Sequence, residues 1–376
     1  MRIGFYAPMK PPDHPSPSGD RTLARLLMEA MTLAGHEVRV MSNFRSLDIE
    51  GEFDLQENLK AQGGKEAERI LKGLKSSATE GIDLWFTYHL FHKAPDWLGP
   101  EISKTLGIPY VVAEASYAPR QKRGPWRAGL VQVETALKSA AGVISLNPRD
   151  LDCIQPFLDA NARQASILPF TRRRSPSGQT RNESKQQLSQ SLGTDAQVPW
   201  LISIAMMRKG DKERSYQLLA AALAKLTDLH WRLIVIGDGD AGDSVKNAFA
   251  PLGEDRVYPV GVLEPAVTEQ YLDASELFAW PAINEAFGMA MLEAHRHGLP
   301  VVAGYTEGTA TIVEDQTTGF LTEPENVSAF AKAVRRLIED RGLRDMLGKN
   351  AQEKFLANHT LAHGSRTLDV FLRSLT

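Results

Sequence analysis

WPAINEAFGMAMLEAHRHGLPVV, residues 280–302, reads as the end of one strand, a turn, a helix and the start of another strand. Trp280 and Pro281 close an apolar run that begins at Leu277. Asn284 and Gly288 suit the turn, and Gly298 with Pro300 stops a helix expected over 287–297. A strand followed by a helix and a second strand is the unit from which parallel sheets are built. Glu285 and Glu293 bracket the N-terminus of that helix, where unpaired N–H groups and a partial positive charge gather at the carboxyl edge of the sheet.

The same alternation runs outward in both directions. Strands are expected at 3–7, 37–42, 84–88, 110–114, 142–146 and 166–170 in the first half, and at 200–205, 231–236, 256–261, 277–281, 301–304 and 319–322 in the second. The clearest helix places Leu23, Leu26, Leu27, Ala30, Met31 and Ala34 on one face and ends at Gly35. Two α/β domains with Rossmann-like βαβ units result. Residues 172–197 are rich in Arg, Ser, Gln and Pro and are expected to add little core, so the boundary is placed there. The expected domains are 1–172 and 173–357. The tail from about 358 to 376, with an amphipathic segment at 368–375, is expected to pack back onto the first.

Composition narrows the function classes. The chain has 376 residues, 43% hydrophobic and 24% charged, in the range of ordinary globular proteins. A formal net charge of -3 lacks the basic excess that nucleic-acid binding needs, so no nucleic-acid partner is expected. The single cysteine, Cys153, rules out an intrachain disulfide and fits a reducing compartment. No signal peptide and no membrane span is read, so a cytoplasmic location is expected, with peripheral contact at the inner membrane face left open.

The residues of the quoted stretch suit a particular ligand. A diphosphate belongs at the helix N-terminus, and a carboxylate one turn on, Glu293, can accept two hydrogen bonds from a ribose diol. Glu285, in the loop, can reach sugar hydroxyls and offset positive charge at an anomeric carbon. Asn-Glu285-Ala-Phe-Gly-Met-Ala-Met-Leu-Glu293-Ala with Gly298-Leu-Pro-Val-Val resembles the Glu-x7-Glu signature of retaining family 4 glycosyltransferases of GT-B fold. The resemblance continues through Leu277 to Pro281 and through Gly308 to Leu321, including Ile312-Val313-Glu314-Asp315 and Thr318-Gly319-Phe320-Leu321. It implies two Rossmann-like domains facing each other across a cleft, and a nucleotide diphosphate sugar as donor. It also implies that Glu285, with the backbone of Phe287, Gly288 and Met289, places the sugar while Glu293 holds the ribose.

A diphosphate leaving group gains charge as the glycosidic bond breaks, and fixed cations can stabilise it. Met206-Met207-Arg208-Lys209-Gly210-Asp211-Lys212 follows an expected strand and resembles the family's pyrophosphate grip. Arg208 matches the arginine and Lys212 is taken as the lysine, with Lys209 and Arg214 as alternatives. Asp238-Gly239-Asp240 could bind a divalent metal, but Ile236-Gly237 before it reads as a glycine turn where backbone, Gly237 included, meets a nucleotide. His89, His92, His295 and His297 have no third ligand at metal spacing and are read as polar loop or surface residues. Neither a metal nor another cofactor is expected.

In the first domain Pro15-Ser16-Pro17-Ser18-Gly19-Asp20 places a turn before a long helix, with Gly19 near the phosphates; the family often has two glycines here. The family also often has a histidine where this chain has Ala115. His89 or Glu114 is the expected replacement on the acceptor and sugar side. Arg120 to Arg127, Arg-Gln-Lys-Arg-Gly-Pro-Trp-Arg, is basic and reads as a solvated loop, with weak membrane-surface contact the alternative. The resulting reading is a retaining, metal-independent glycosyltransferase, a hexosyltransferase by class, acting on a hydroxyl acceptor. Its rivals are a sugar phosphorylase, a nucleotide-sugar epimerase, or a nucleotide-sugar-binding protein without catalysis.

Overall fold

The computed structural model describes residues 1–376 except 17, 77–80, 175–177 and 179. The described residues divide into two compact units, Met1–Phe170 with Leu361–Thr376, and Thr171–Thr360.

Unit 1 alternates β1 (Arg2–Tyr6), α1 (Gly19–Leu33), β2 (Glu37–Ser42), α2 (Phe53–Ser76), β3 (Leu84–Leu90), α3 (Gly99–Leu106), β4 (Tyr110–Ala115), α4 (Arg127–Ser139), β5 (Gly142–Ser145), α5 (Pro148–Ile154) and β6 (Arg163–Ser166). The strands lie in the order β2-β1-β3-β4-β5-β6, every pair parallel. Central strands are buried on both faces: all six residues of β4 are buried, as parallel sheets covered by helices require, whereas at the edges β2 is mostly half-buried and β6 largely exposed. In α1 the apolar stripe Leu23, Leu26, Leu27, Ala30, Met31 is buried, and the Ser18 hydroxyl accepts the Arg21 N–H at 3.2 Å as N-cap. Each such fully buried Leu contributes about 1.5–3 kcal/mol.

Unit 2 continues α6 (Arg181–Leu192), β7 (Trp200–Ile204), α7 (Asp211–Leu223), β8 (Arg232–Ile236), α8 (Gly242–Phe249), β9 (Val257–Gly261), α9 (Pro265–Ala274), β10 (Leu277–Trp280), α10 (Met289–Arg296), β11 (Val301–Gly304), α11 (Glu307–Ile312), β12 (Gly319–Thr322), α12 (Val327–Glu339) and α13 (Arg341–Asn358). Its sheet runs β12-β11-β10-β7-β8-β9, again all parallel. The last helix, α14 (Leu361–Arg373), belongs to unit 1 and packs on α1, burying Leu368, Phe371 and Leu372.

In each sheet the winding reverses once, between β1 and β3 in unit 1 and between β7 and β10 in unit 2. Loops leaving the two central strands diverge at such a point, and doubly wound sheets bind ligands there.

One expectation needs correction. The strand placed at 166–170 lies at Arg163–Ser166, in register with Gly142–Ser145. Its partner ends at Ser145, and Pro169 has no N–H to extend a ladder. The stretch 172–197 contains α6, although it has few apolar residues. Thr180 and Glu183 form a capping box, and buried Lys185 donates to Glu276 at 2.6 Å and to the Val198 carbonyl at 2.7 Å. A helix held by an ion pair carries little hydropathic signal. Residues 175–177 and 179 of that stretch, and Pro17 of the turn before α1, lie outside the described residues.

Candidate functional site

The switch point of unit 2 is built by the loops after β7 and β10. After Trp280 the chain turns through two left-handed residues, Ala282 at φ 56° and Asn284 at φ 51°, before Glu285. The carboxylate of Glu285 accepts from Trp280 Nε1 at 3.2 Å and forms an ion pair with Lys212 Nζ. Lys212 lies in the first turn of α7, its ammonium 5.3 Å from the centre of the Trp280 ring. Tyr216, one turn along α7, meets that ring edge-on at 4.8 Å. Trp280 thus fixes both charges, a role the sequence reading did not give it.

The Glu285 loop is braced from two sides. Ser215 Oγ accepts the Ile283 N–H at 3.1 Å, and Thr306 Oγ1 donates to the Glu285 carbonyl at 2.9 Å. A Cβ at Gly308 would run into the Ala286 carbonyl, so only glycine fits beneath the loop. Ser215, Thr306 and Gly308 had no individual role in the sequence reading. Of these, only Gly308 lay inside a motif.

Gly288, buried at φ 77°, stands at the N-cap of α10, and among the described residues no side chain caps that end. Phe287 and Met289 are half-buried beside it. The helix spans Met289–Arg296, two residues shorter at its start than expected. Glu293 is half-buried, with no side-chain hydrogen bond among the described residues. Burial raises its pKa above the usual carboxylate value, while Arg296 lowers it and Glu269 adds to the rise.

Arg208 is exposed in the loop after β7 and makes no ion pair among the described residues. Arg214 pairs with Glu325 at 2.5 Å and Asp211 at 3.3 Å, and is therefore already engaged. The loop after β8 zips onto the Arg208 loop: Met207 N–H donates to the Asp238 carbonyl at 2.9 Å and Ala241 N–H to the Met207 carbonyl at 2.8 Å. A Cβ at Gly237 (φ 143°) would strike the Ala205 carbonyl, and one at Gly239 (φ 155°) the Met207 carbonyl. These glycines answer first to this loop contact. Among the described residues no three His, Cys, Asp or Glu side chains are grouped as metal ligands.

The switch point of unit 1 carries its own charge pair. Asp20, in the first turn of α1, lies 3.2 Å from Nδ1 of His89 near the end of β3. Burial works against ionisation of Asp20, but the hydrogen bond and charge of His89, its own N–H and Lys10 together hold the carboxyl below its usual range. Gly19 is exposed, with open space where a side chain would begin. His89 has φ 65° and Glu114 φ 58°, and the two stand level between the paired Tyr88–Ala113 and Leu90–Ala115. Both strands therefore kink at the same height. Burial drives the Glu114 carboxyl up to about 8, resisted by the N–H groups of Leu146 and Asn147 and reinforced by Asp150. Ala115, buried, is the last residue of β4.

The other histidines depart from expectation. His295 and His297 are buried, not at the surface: His295 lies on the inward side of α10 and His297 caps its C-terminus. His297 Nδ1 meets Asp273 at 2.6 Å, and Arg174 pairs with the same carboxylate at 2.5 Å. His92 is half-buried, its ring 5.7 Å from that of Trp126. The Trp126 of the basic segment also turns inward, donating to the Asp48 carbonyl at 2.9 Å under Lys93, while Arg120, Lys122, Arg123 and Arg127 stay exposed. Among the described residues no helix is long and apolar enough to cross a membrane.

Residues 184–354, nearly all of unit 2, match the family model Glycosyl transferases group 1. Sulfoquinovosyl transferase SQD2 of Arabidopsis thaliana is 34% identical over 145 residues, 38% of this chain and 28% of that protein. A D-inositol 3-phosphate glycosyltransferase of Nocardioides sp. is 34% identical over 173 residues, 42% of this chain and 37% of that protein. The match thus spans well under half the length of either relative. Over whole chains, the structure of Anabaena Alr3699/HepE in complex with UDP superposes with a TM-score of 0.73 at 18% identity, covering 100% of each chain. Sucrose-phosphate synthase (tll1590) from Thermosynechococcus elongatus gives 0.71 at 19% identity, covering 100% of this chain and 98% of that one. The fold is that of GT-B glycosyltransferase structures, with two Rossmann-like units.

Proposed function

We propose that this chain is a cytoplasmic glycosyltransferase that moves a hexosyl group from a nucleoside diphosphate sugar to a hydroxyl acceptor, with retention at the anomeric carbon and without a metal. The observation that carries the proposal is the assembly of Lys212, Glu285 and the unengaged Arg208 at the switch point of unit 2, beside the uncapped N-terminus of α10.

The diphosphate sits against the α10 tip, and Arg208 and Lys212 neutralise the charge it gains on leaving. Lys212 is already held in place by Glu285 and the Trp280 ring, so little reorganisation accompanies the reaction. Glu285 and the backbone at Phe287, Gly288 and Met289 orient the transferred sugar. Glu293 receives the ribose diol; two hydroxyl donors offset the desolvation that otherwise favours its protonated form. The acceptor oxygen bonds to the anomeric carbon on the face from which the diphosphate departs, and a phosphate oxygen takes the acceptor proton. In unit 1 His89, held by Asp20, and Glu114 serve the acceptor and sugar side, in place of the histidine absent at Ala115.

Anabaena HepE is described in complex with UDP-glucose, which makes uridine diphosphate sugars the first donors to try. The test is a thermal-shift screen of the full chain against nucleoside diphosphates and their sugars, followed by product analysis. A nucleoside diphosphate at about 100 times its dissociation constant adds about 2.7 kcal/mol of stability, a readily measured shift. If none raises the melting temperature, the reading fails.

A further inference from the structure

The loop after β2 and the first turn of α2 hold large apolar residues in the open: Ile49 is 61% exposed, Phe53 72%, and Leu55 lies close by in sequence. Singly exposed apolar residues are ordinary, but several within one short segment mark a contact surface.

That segment is firmly held. The Asp48 carboxylate accepts the Gly51 N–H at 2.8 Å and the Gln56 side-chain amide at 2.9 Å, and the Asp48 carbonyl accepts the Trp126 indole N–H at 2.9 Å. Gln56 also donates to the Pro125 carbonyl at 2.9 Å, and a Cβ at Gly51 would overlap Pro125. Lys93 closes the join, its ammonium 4.1 Å from the centre of the Trp126 ring and donating to the Ile49 carbonyl at 3.2 Å. Residues 48–57 and 120–127 therefore form one surface, although 78 residues separate Asp48 from Trp126.

The two segments bear opposite charge. Glu50, Glu52, Asp54 and Glu57 are exposed on one, and Arg120, Lys122, Arg123 and Arg127 on the other. None of them forms an ion pair among the described residues. Anionic phosphates, whether of a bilayer or of a nucleic acid, would meet the four acids as well as the four bases. A second copy of the same surface, rotated by half a turn, meets both correctly: its bases face these acids and its acids face these bases.

We propose that this face of unit 1 is a two-fold interface between copies of this chain, with Ile49 and Phe53 buried in the contact and segment 50–57 of each copy lying along segment 120–127 of the other. An apolar centre with charges of both signs around it has the anatomy of such a contact. The face is separate from the donor residues of unit 2, and its role does not depend on theirs.

Sedimentation equilibrium of the full chain is the test. A small contact of this kind should give a dimer dissociation constant on the order of 10 µM, weakening as salt is raised from about 0.1 M to about 1 M. Phe53→Ser, at an exposed position, should keep the melting temperature and weaken association at least about tenfold. Glu52→Lys with Asp54→Lys should give a monomer, and so should Arg120→Glu with Arg123→Glu, because each variant then meets its own copy with like charge. An equal mixture of the two should dimerise again, since both contacts once more join opposite charges. A chain still monomeric at about 100 µM, well above the expected dissociation constant, would overturn the proposal. So would a dimer indifferent to Phe53→Ser, or reversed variants that fail to recover on mixing. A monomer that binds phosphatidylglycerol vesicles would overturn it too, and would give the face to a bilayer instead.

Discussion

Lys212 and Glu285, 73 residues apart in the chain, meet in one ion pair where the sheet of unit 2 reverses its winding. The lysine side chain is 33% exposed and the glutamate 16%, so solvent screens much of their attraction. Lys212→Ala should therefore cost no more than about 1 kcal/mol of stability while sharply lowering turnover. Thermal melts beside kinetics decide the point: a collapse in stability would make the pair a structural tie.

Arg208→Ala removes a cation that makes no ion pair among the described residues. Its melting temperature should match that of the wild type, whereas kcat at saturating donor should fall roughly 100-fold, a loss of about 3 kcal/mol in the transition state. Full turnover by this variant would contradict the role assigned to Arg208.

Under the proposed mechanism, in which protein cations and the α10 tip carry the leaving-group charge, transfer should proceed undiminished after dialysis against EDTA. Assays with and without added Mg²⁺ and Mn²⁺ check this. Loss of activity restored by a divalent ion would return attention to Asp238 and Asp240.

Gly308→Ala places a methyl group against the Ala286 carbonyl, under the loop that carries Glu285. Overpacking of this kind costs about 1–3 kcal/mol. Donor affinity should suffer beyond that, because the loop must lift; an enzyme with unchanged donor affinity would show that the loop position is immaterial.

Two buried groups give opposite dependences on pH. Glu114 has a folded pKa of about 8, above its ordinary 4.5, so the stability from its protonated form is present at low pH and is lost as pH rises through 8. His295, pushed down to about 3 by burial and by nearby His359 and Lys354, is neutral when folded; the stability this gives is present above pH 6.5 and declines as pH falls toward 3. Glu114→Gln should remove the alkaline decline in melting temperature and His295→Met the acid one. Melting curves that stay parallel to wild type across pH 4–9 would refute both.

The sheets were legible because their central strands are apolar on both faces and their helices keep a 3.6-residue period, so eleven of the twelve expected strands lie close to the observed ones and β6 is shifted. In the site, a strand–turn–helix motif marked Glu285 and Glu293, and a cation-rich loop marked Arg208 and Lys212. What escaped was long-range: the pairing of Lys212 with Glu285 over Trp280, the bracing by Ser215 and Thr306, and the matched kinks at His89 and Glu114 depend on which strands become neighbours. Nothing in a linear pattern reports that. Helix α6 escaped for a related reason, since Lys185 is held by a partner 91 residues away.

The return of α14 to unit 1 sets an order of assembly. Unit 2 is one uninterrupted stretch whose two ends are joined, Thr171 beside Thr360. During synthesis that stretch emerges whole before residues 361–376, so it can fold while unit 1 still lacks the helix that covers α1. Until then the flank of α1 that receives α14 is bare, and a chain truncated after Thr360 should keep one finished module beside one that chaperones still recognise.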